Sequence, residues 1–502
     1  MFICVKTFED VEKTRLQYHA NPTINSIHRA SLLVPEIPDT SAKISFLNHF
    51  LLKRNYSDVA CKITPVSTIG EKMDSFFYTI DKPIVYTIQL TGLVEDPVSN
   101  YIVEFFSAKN LFIPFPAVMI NHVGKDFINQ VHAFNRVLND VFEDDQINKI
   151  QVKEASVDLI IDEGIDTFLL FTCGPIRCQS VIEIEIISEE RNFLKIIEVD
   201  VPRFGTRLFK IKDIFTDMPN GIKGVLRVKQ PKQFLFYGRM LTGQISSSGQ
   251  FSANHSYYDS SETSEYWKNS APSQRFYPFF PLLRNEICMY PIMSPSNLLL
   301  SIGIYDYSGR LIHEKFIGDL ASPNNRFLCV NINSIISEIK INPQDVSNFS
   351  VIVNGDKMPT RVSHQLVYGG QLLNSSINIS LHNSNVFVSN NKKSFKWGQG
   401  IVGLGYDTLV GIIADGCENS DILEHEVKIS FFDDDGLIKI NKINIKNNSC
   451  YKISLIQELN YESKQTIPKF VWITAESEKH GINFFAVSFN KGLSYCSGDH
   501  GF

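Results

Sequence analysis

The chain has 502 residues, too many for a single hydrophobic core at the usual ~100–200 residues per domain, so several folded units are expected. Hydrophobic residues make up 43% and charged residues 20%, which excludes wholesale disorder. The net charge is −6, from 48 basic and 54 acidic side chains without a basic cluster, so the electrostatic case for a nucleic-acid partner is absent.

The aromatic share of 12%, mostly 37 Phe, accompanies many Ile, Val, Asn and Ser, a mix that favours strands and turns over helices. The opening MFICVKTFEDVEK lacks a basic n-region and an apolar h-region, and no later stretch reaches ~18 uninterrupted apolar residues. A cytoplasmic chain without a transmembrane segment is therefore expected, with export independent of a signal left open. Nine cysteines without a repeating spacing read as free thiols of a reducing compartment.

Residues 1–80 are expected to form an N-terminal α/β region. Asp39, Thr40 and Ser41 offer helix N-caps, and Ile44, Leu47, Phe50 and Leu51 fall on one face, which predicts an amphipathic helix. From about residue 80 short β-type runs recur in the same order. SVIEIEIISEERNFLKIIEVD from Ser180, NLLLSIGIYDYSGRLIHEKFIGD from Asn297 and EVKISFFDDDGLIKINKINI from Glu426 each read as strand, turn, strand. Gly309 and Gly436 supply the positive φ of the second and third turns. Each copy continues through a polar turn, an alternating strand and a strand rich in Phe and Val. This order predicts a mainly β chain of tandem antiparallel β-sandwich repeats of immunoglobulin-like type. The expected units are a degenerate first copy over 81–150, sandwiches over 151–260 and 386–502, and one over 261–385 that begins with a long linker.

Each copy ends near a histidine: His132, His255, His364 and His500. If the copies pack about a common axis, some of these imidazoles converge on a divalent metal, the candidate cofactor, with His255, His364 and His500 as ligands. If the copies form a linear row, the histidines stay tens of ångströms apart by ~3.3 Å per strand residue and serve as a repeated structural device.

The densest group of polar and aromatic side chains follows His255. Asn254, Tyr257, Tyr258, Asp259, Glu262, Glu265 and Trp267, flanked by Arg239 and Arg275, can bind a ligand with flat faces and hydroxyls, or can plug one domain against the next. Asp259, Glu262 and Glu265 have a spacing that brings two carboxylates together on a helical turn. The leading expectation is a non-catalytic binding or assembly protein that recognises a carbohydrate or protein partner through the 251–285 interdomain region. The alternative is a metal-dependent enzyme with His255 and nearby carboxylates at its site. The run Gly400 to Gly405 lacks dinucleotide-loop spacing, and Asp433-Asp434-Asp435-Gly436 reads as a hairpin turn.

Overall fold

A computed structural model describes residues 28–57, 59–107, 118–137, 153–188, 192–231, 235–236, 239–258, 272–290, 296–320, 327–359, 362–383, 393–414, 424–461, 467–478 and 481–502. Its strands form eight antiparallel sheets that pair into four β-sandwiches in chain order. In the second sandwich one sheet runs Asn192–Val201, Cys178–Ser188, Ile222–Lys229, Lys153–Ile161 and Tyr257–Tyr258. The facing sheet runs Thr206–Lys210, Ile165–Thr172, Leu241–Ser246 and Phe251–His255. The third sandwich, over Ser273 to Asn383, repeats this order, and the fourth, over Ser394 to His500, repeats it without the short fifth strand among the described residues. Inward residues alternate with outward ones along the strands, as Ile182, Ile184 and Ile186 do in Cys178–Ser188, so each sandwich closes over an apolar interior.

The first sandwich has the same strand order and begins far upstream of its expected start. Val59–Ser67 pairs with both Phe76–Ile80 and Val98–Ser107, so the expected boundary at residue 80 falls inside one sheet and the first copy is not degenerate. The expected helix from Ile44 to Leu51 is also corrected. Ser41–Leu47 is a strand, with Ala42, Ile44 and Phe46 buried at alternate positions, and only His49–Arg54 is helical. The cap is Asn48, whose side-chain oxygen accepts from the Leu51 N–H at 3.2 Å. Ile44, Leu47 and Leu51 satisfy the helical template by spacing alone: Ile44 and Leu47 fall on opposite faces of a strand that is buried on both sides at this end, and Leu51 lies in the short helix.

The two hairpins with predicted glycines form as read, Gly309 at φ +79° and Gly436 at φ +119°. Gly309 has a second constraint, since a Cβ there would collide with the backbone of Asn447 in the fourth sandwich. The sandwiches are packed against one another and not strung out as separate beads. Trp472 of the fourth, fully buried, donates its Nε1–H to Ser45 Oγ of the first at 2.8 Å. Lys452 of the fourth donates to the carbonyls of Phe279 and Val346 in the third at 3.0 and 2.9 Å. The short strand Leu235–Phe236 pairs with Arg136–Val137 and ties the second copy to the first.

Two buried histidines belong to these interiors. His122 Nε2–H donates to Pro35 O at 3.0 Å, and His364 accepts from the Tyr277 hydroxyl at Nε2 (2.6 Å) while Nδ1 faces Val362 O at 3.3 Å. Burial lowers their pKa values to about 4 and about 3 respectively, the Arg275 guanidinium adding to the effect on His364 and the carbonyl contacts opposing it.

Replacing Trp472 with Phe leaves buried Ser45 Oγ without its donor and is expected to lower unfolding free energy by about 1–3 kcal/mol, read as a lower urea midpoint. In the unfolded chain a histidine takes up its proton below about pH 6.5, whereas folded His122 and His364 stay neutral to about 4 and about 3. The unfolded state therefore binds more protons in that window, and stability falls as pH drops through it, by on the order of 1 kcal/mol per pH unit for each histidine. Urea midpoints at pH 7.5 and pH 5 are expected to differ accordingly, with a shallower dependence in His364→Gln; equal midpoints would contradict the neutral assignment.

Candidate functional site

Each sandwich has a four-stranded sheet whose last strand lies at that sheet's edge: Ile128–His132, Phe251–His255, Ser375–Ser380 and Cys496–His500. These four closing strands meet one another, the first touching the second and fourth, and the third likewise touching the second and fourth. An edge strand carries backbone groups with no ladder partner, and here side chains of the neighbouring sandwiches supply the partners. The N–H of Gln130 donates to Ser497 Oγ at 2.9 Å, that of His132 to Asp499 Oδ2 at 2.9 Å, and that of Ala253 to Asn129 Oδ1 at 2.7 Å. Ser252 Oγ donates to Cys496 O at 2.7 Å, and Asn378 Nδ2 donates to His255 O. Close approach needs a small residue at Gly498, where a Cβ would press on Ala486 and lie 3.1 Å from Ser375 Oγ.

Register aligns the ends of these strands. His132 stands opposite Met119, His255 opposite Leu241 and His500 opposite Phe485, whereas the equivalent residue of the third copy is Ile379, opposite His364. His132, His255 and His500 converge, with one ring nitrogen from each within 4.8 Å of the others and ring centroids of His132 and His255 4.4 Å apart. His364 lies on the preceding strand and is not in the trio, which corrects its assignment as a ligand beside His255 and His500. Of the two arrangements open from the sequence, the described strands take the one that converges, since a linear row would have kept the rings apart.

In each of the three rings Nδ1 faces an acceptor. The partners are Asp499 Oδ2 for His132 at 2.8 Å, Ser256 O for His255 at 2.7 Å, and Gly501 O for His500 at 3.1 Å. The hydrogen-bond pattern therefore places the proton on Nδ1 and leaves Nε2 as a lone pair. Burial holds all three histidines below the ordinary histidine range. Arg239 reinforces this for His132 and His255, and Arg275 for His500, which falls to about 4. The Asp499 carboxylate opposes the shift at His255 and His500; its contact with His132 Nδ1 likewise favours the charged ring, but the burial of three imidazoles beside a guanidinium outweighs it.

The other expected site residues are placed as follows. Asn254 is buried and donates Nδ2–H to Gly498 O at 3.3 Å, so it serves the joint between sandwiches. Tyr257 and Tyr258 form a two-residue strand paired with Ala155 and Glu154. Arg275 donates from Nη1 to Ser380 O at 3.1 Å and lies over the Phe485 ring. Asp259, Glu262, Glu265 and Trp267 lie outside the described residues. The carboxylate that does reach the histidines is Asp499, which sequence reasoning missed. Its signal was the pairing of Asp499-His500 with Asn254-His255, visible only once the strands are aligned.

A second feature lies between the first and fourth sandwiches, where a cleft of about 740 Å³ is lined by Lys53, Lys82, Lys393 and Lys428 against two carboxylates, Asp435 and Glu476. Lys53 Nζ stands 4.9 Å from the Phe395 ring centroid and 4.5 Å from that of Trp397, a cation–π arrangement. Glu476 is shared by Lys428 at 3.4 Å and Lys393 at 3.8 Å. Leu52, Leu437 and Ile440, all lining the cleft, are 40%, 53% and 47% exposed.

No family model and no curated protein matches the chain. Among solved structures, a tetra-tandem repeat in the extending region of a large adhesion protein aligns over 94% of this chain and 98% of its own at 8% identity, with a TM-score of 0.10. At that score the likeness carries no argument about fold or function, and the four sandwiches stand on the sheet topology described above.

Proposed function

We propose that this chain is a non-catalytic binding or assembly protein that recognises a protein partner bearing acidic and apolar side chains. The observation that carries this reading is the cleft between the first and fourth sandwiches, where exposed Leu52, Leu437 and Ile440 stand beside an excess of lysines. Apolar side chains left in water beside a lining in which lysines outnumber carboxylates favour a partner that covers the former and brings acidic groups to the latter. The 251–285 stretch enters differently from its first expectation. Asn254 and His255 are buried where the sandwiches join, so its described strands hold the walls of the binding surface in place. A rigid block built this way presents its cleft preformed, which lowers the ordering cost of association.

A photo-cross-linking residue at Leu437 of the full chain, expressed in its own cells, is expected to capture one protein species, and the same residue at exposed Leu194 in the second sandwich is not. The pair Lys82→Glu and Lys428→Glu should cut the captured yield at least tenfold. Capture that is equal at both positions, or indifferent to the charge reversals, contradicts the reading. An acidic polysaccharide that binds with the same dependence on Lys82 and Lys428 would replace the protein partner.

A further inference from the structure

We propose that His132, His255 and His500 together bind one divalent transition metal of the zinc, nickel or copper type, a site shared by three sandwiches. It goes beyond the binding function proposed above and shares no residue with the cleft.

Four observations carry it. The three rings come from equivalent positions of three closing strands and bring one nitrogen each within 4.8 Å of the others. Each ring gives its Nδ1 to a fixed acceptor, two backbone carbonyls and one carboxylate, the outer arrangement that orients imidazole toward a metal. His255 is 1% exposed and its Nε2 has no hydrogen-bond partner, so a buried lone pair is left facing the cluster at a cost that a metal bond removes. His500 is the outermost of the three, its side chain 24% exposed, which gives an ion a way in.

The donor set selects the ion. Neutral imidazole nitrogens suit borderline transition metals, while calcium and magnesium require oxygen ligands. The nearest carboxylate, Asp499, already accepts from His132 Nδ1 and from the backbone N–H groups of His132 and His500. An anion is the poorer occupant, because with Nδ1 committed to acceptors the neutral rings offer Nε2 lone pairs and not N–H donors. Arg239 and Arg275 oppose a cation electrostatically; Asp499 offsets one of these charges, so affinity is expected to fall below that of a closed structural zinc site. The equivalent position in the third sandwich is Ile379, which offers no ligand atom, so the described residues supply three ligands to the site.

The test uses the full chain stripped with a chelator and dialysed. Titration with zinc(II) by calorimetry is expected to give one equivalent per chain, and cobalt(II) to give the intense visible absorption of a low-coordinate nitrogen site. His255→Gln and His500→Gln should each reduce affinity at least a hundredfold, and Asp499→Asn ten- to a hundredfold. His364→Gln should bind as the unaltered chain does. Zinc should raise the thermal midpoint of the unaltered chain and leave that of His500→Gln unchanged. Should His255→Gln fail to fold, the partly exposed His500 position and the cobalt spectrum of the unaltered chain still decide. Uptake well below one equivalent, or an affinity indifferent to His500→Gln, overturns the proposal.

Discussion

A sandwich that finishes on an edge strand leaves a row of backbone N–H and C=O groups without partners, and this chain does so four times around one place. Everything else in the arrangement follows from how those edges are satisfied. The strands do not continue one another's ladders, which would have merged the sandwiches into shared sheets. Ser497, Asp499 and Asn129 side chains instead accept from the N–H groups of Gln130, His132 and Ala253, so the four sheets that end in these strands stay separate while giving up their free edges. Edge protection of this kind is usually achieved with lysines or prolines that keep neighbours away. Here it is achieved by making the neighbours permanent.

That solution fills the joint with polar groups. Buried amides, hydroxyls, imidazoles and one carboxylate must each find a partner, since every unsatisfied group carries its full desolvation cost. Asp499 meets three donors with two oxygens and so connects the first and fourth sandwiches at once. The histidines stay neutral because an imidazolium would have to be desolvated in the company of Arg239 and Arg275. Neutrality fixes their tautomers, and the fixed tautomers give the joint a chemistry that a purely apolar interface would lack.

Strand order and turn chemistry were legible because they are local. Alternation in segments such as Ser180 to Asp200 and the glycines at 309 and 436 report their own neighbourhoods, and the sandwich repeat follows from them. The histidines were legible only in part. Three of them do occupy one register position, but the third copy has a histidine one strand earlier, and sequence spacing alone cannot distinguish the two strands of a hairpin. His364 was therefore aligned with the closing strands although it pairs across to one of them. Convergence itself was not legible, since nothing in a repeat's sequence says whether copies extend in a row or close on one another. The first copy was misjudged for a related reason: Ile44, Leu47, Phe50 and Leu51 fit one helical face, yet Ile44 and Leu47 pair into a sheet and only Phe50 and Leu51 are helical, a division that the neighbouring strands decide. Asp499 escaped notice because its partners are hundreds of positions away in the chain.

The order of the closing strands also has a consequence for biosynthesis. Cys496–His500 is the last of the four to leave the ribosome, yet it supplies the acceptors for Gln130 and His132 of the first sandwich. Until it arrives, three sandwiches carry open edges facing one another, the state in which strands recruit partners from other chains. Completion of the first sandwich's edge at Gln130 thus waits on Ser497, 367 positions later in the chain.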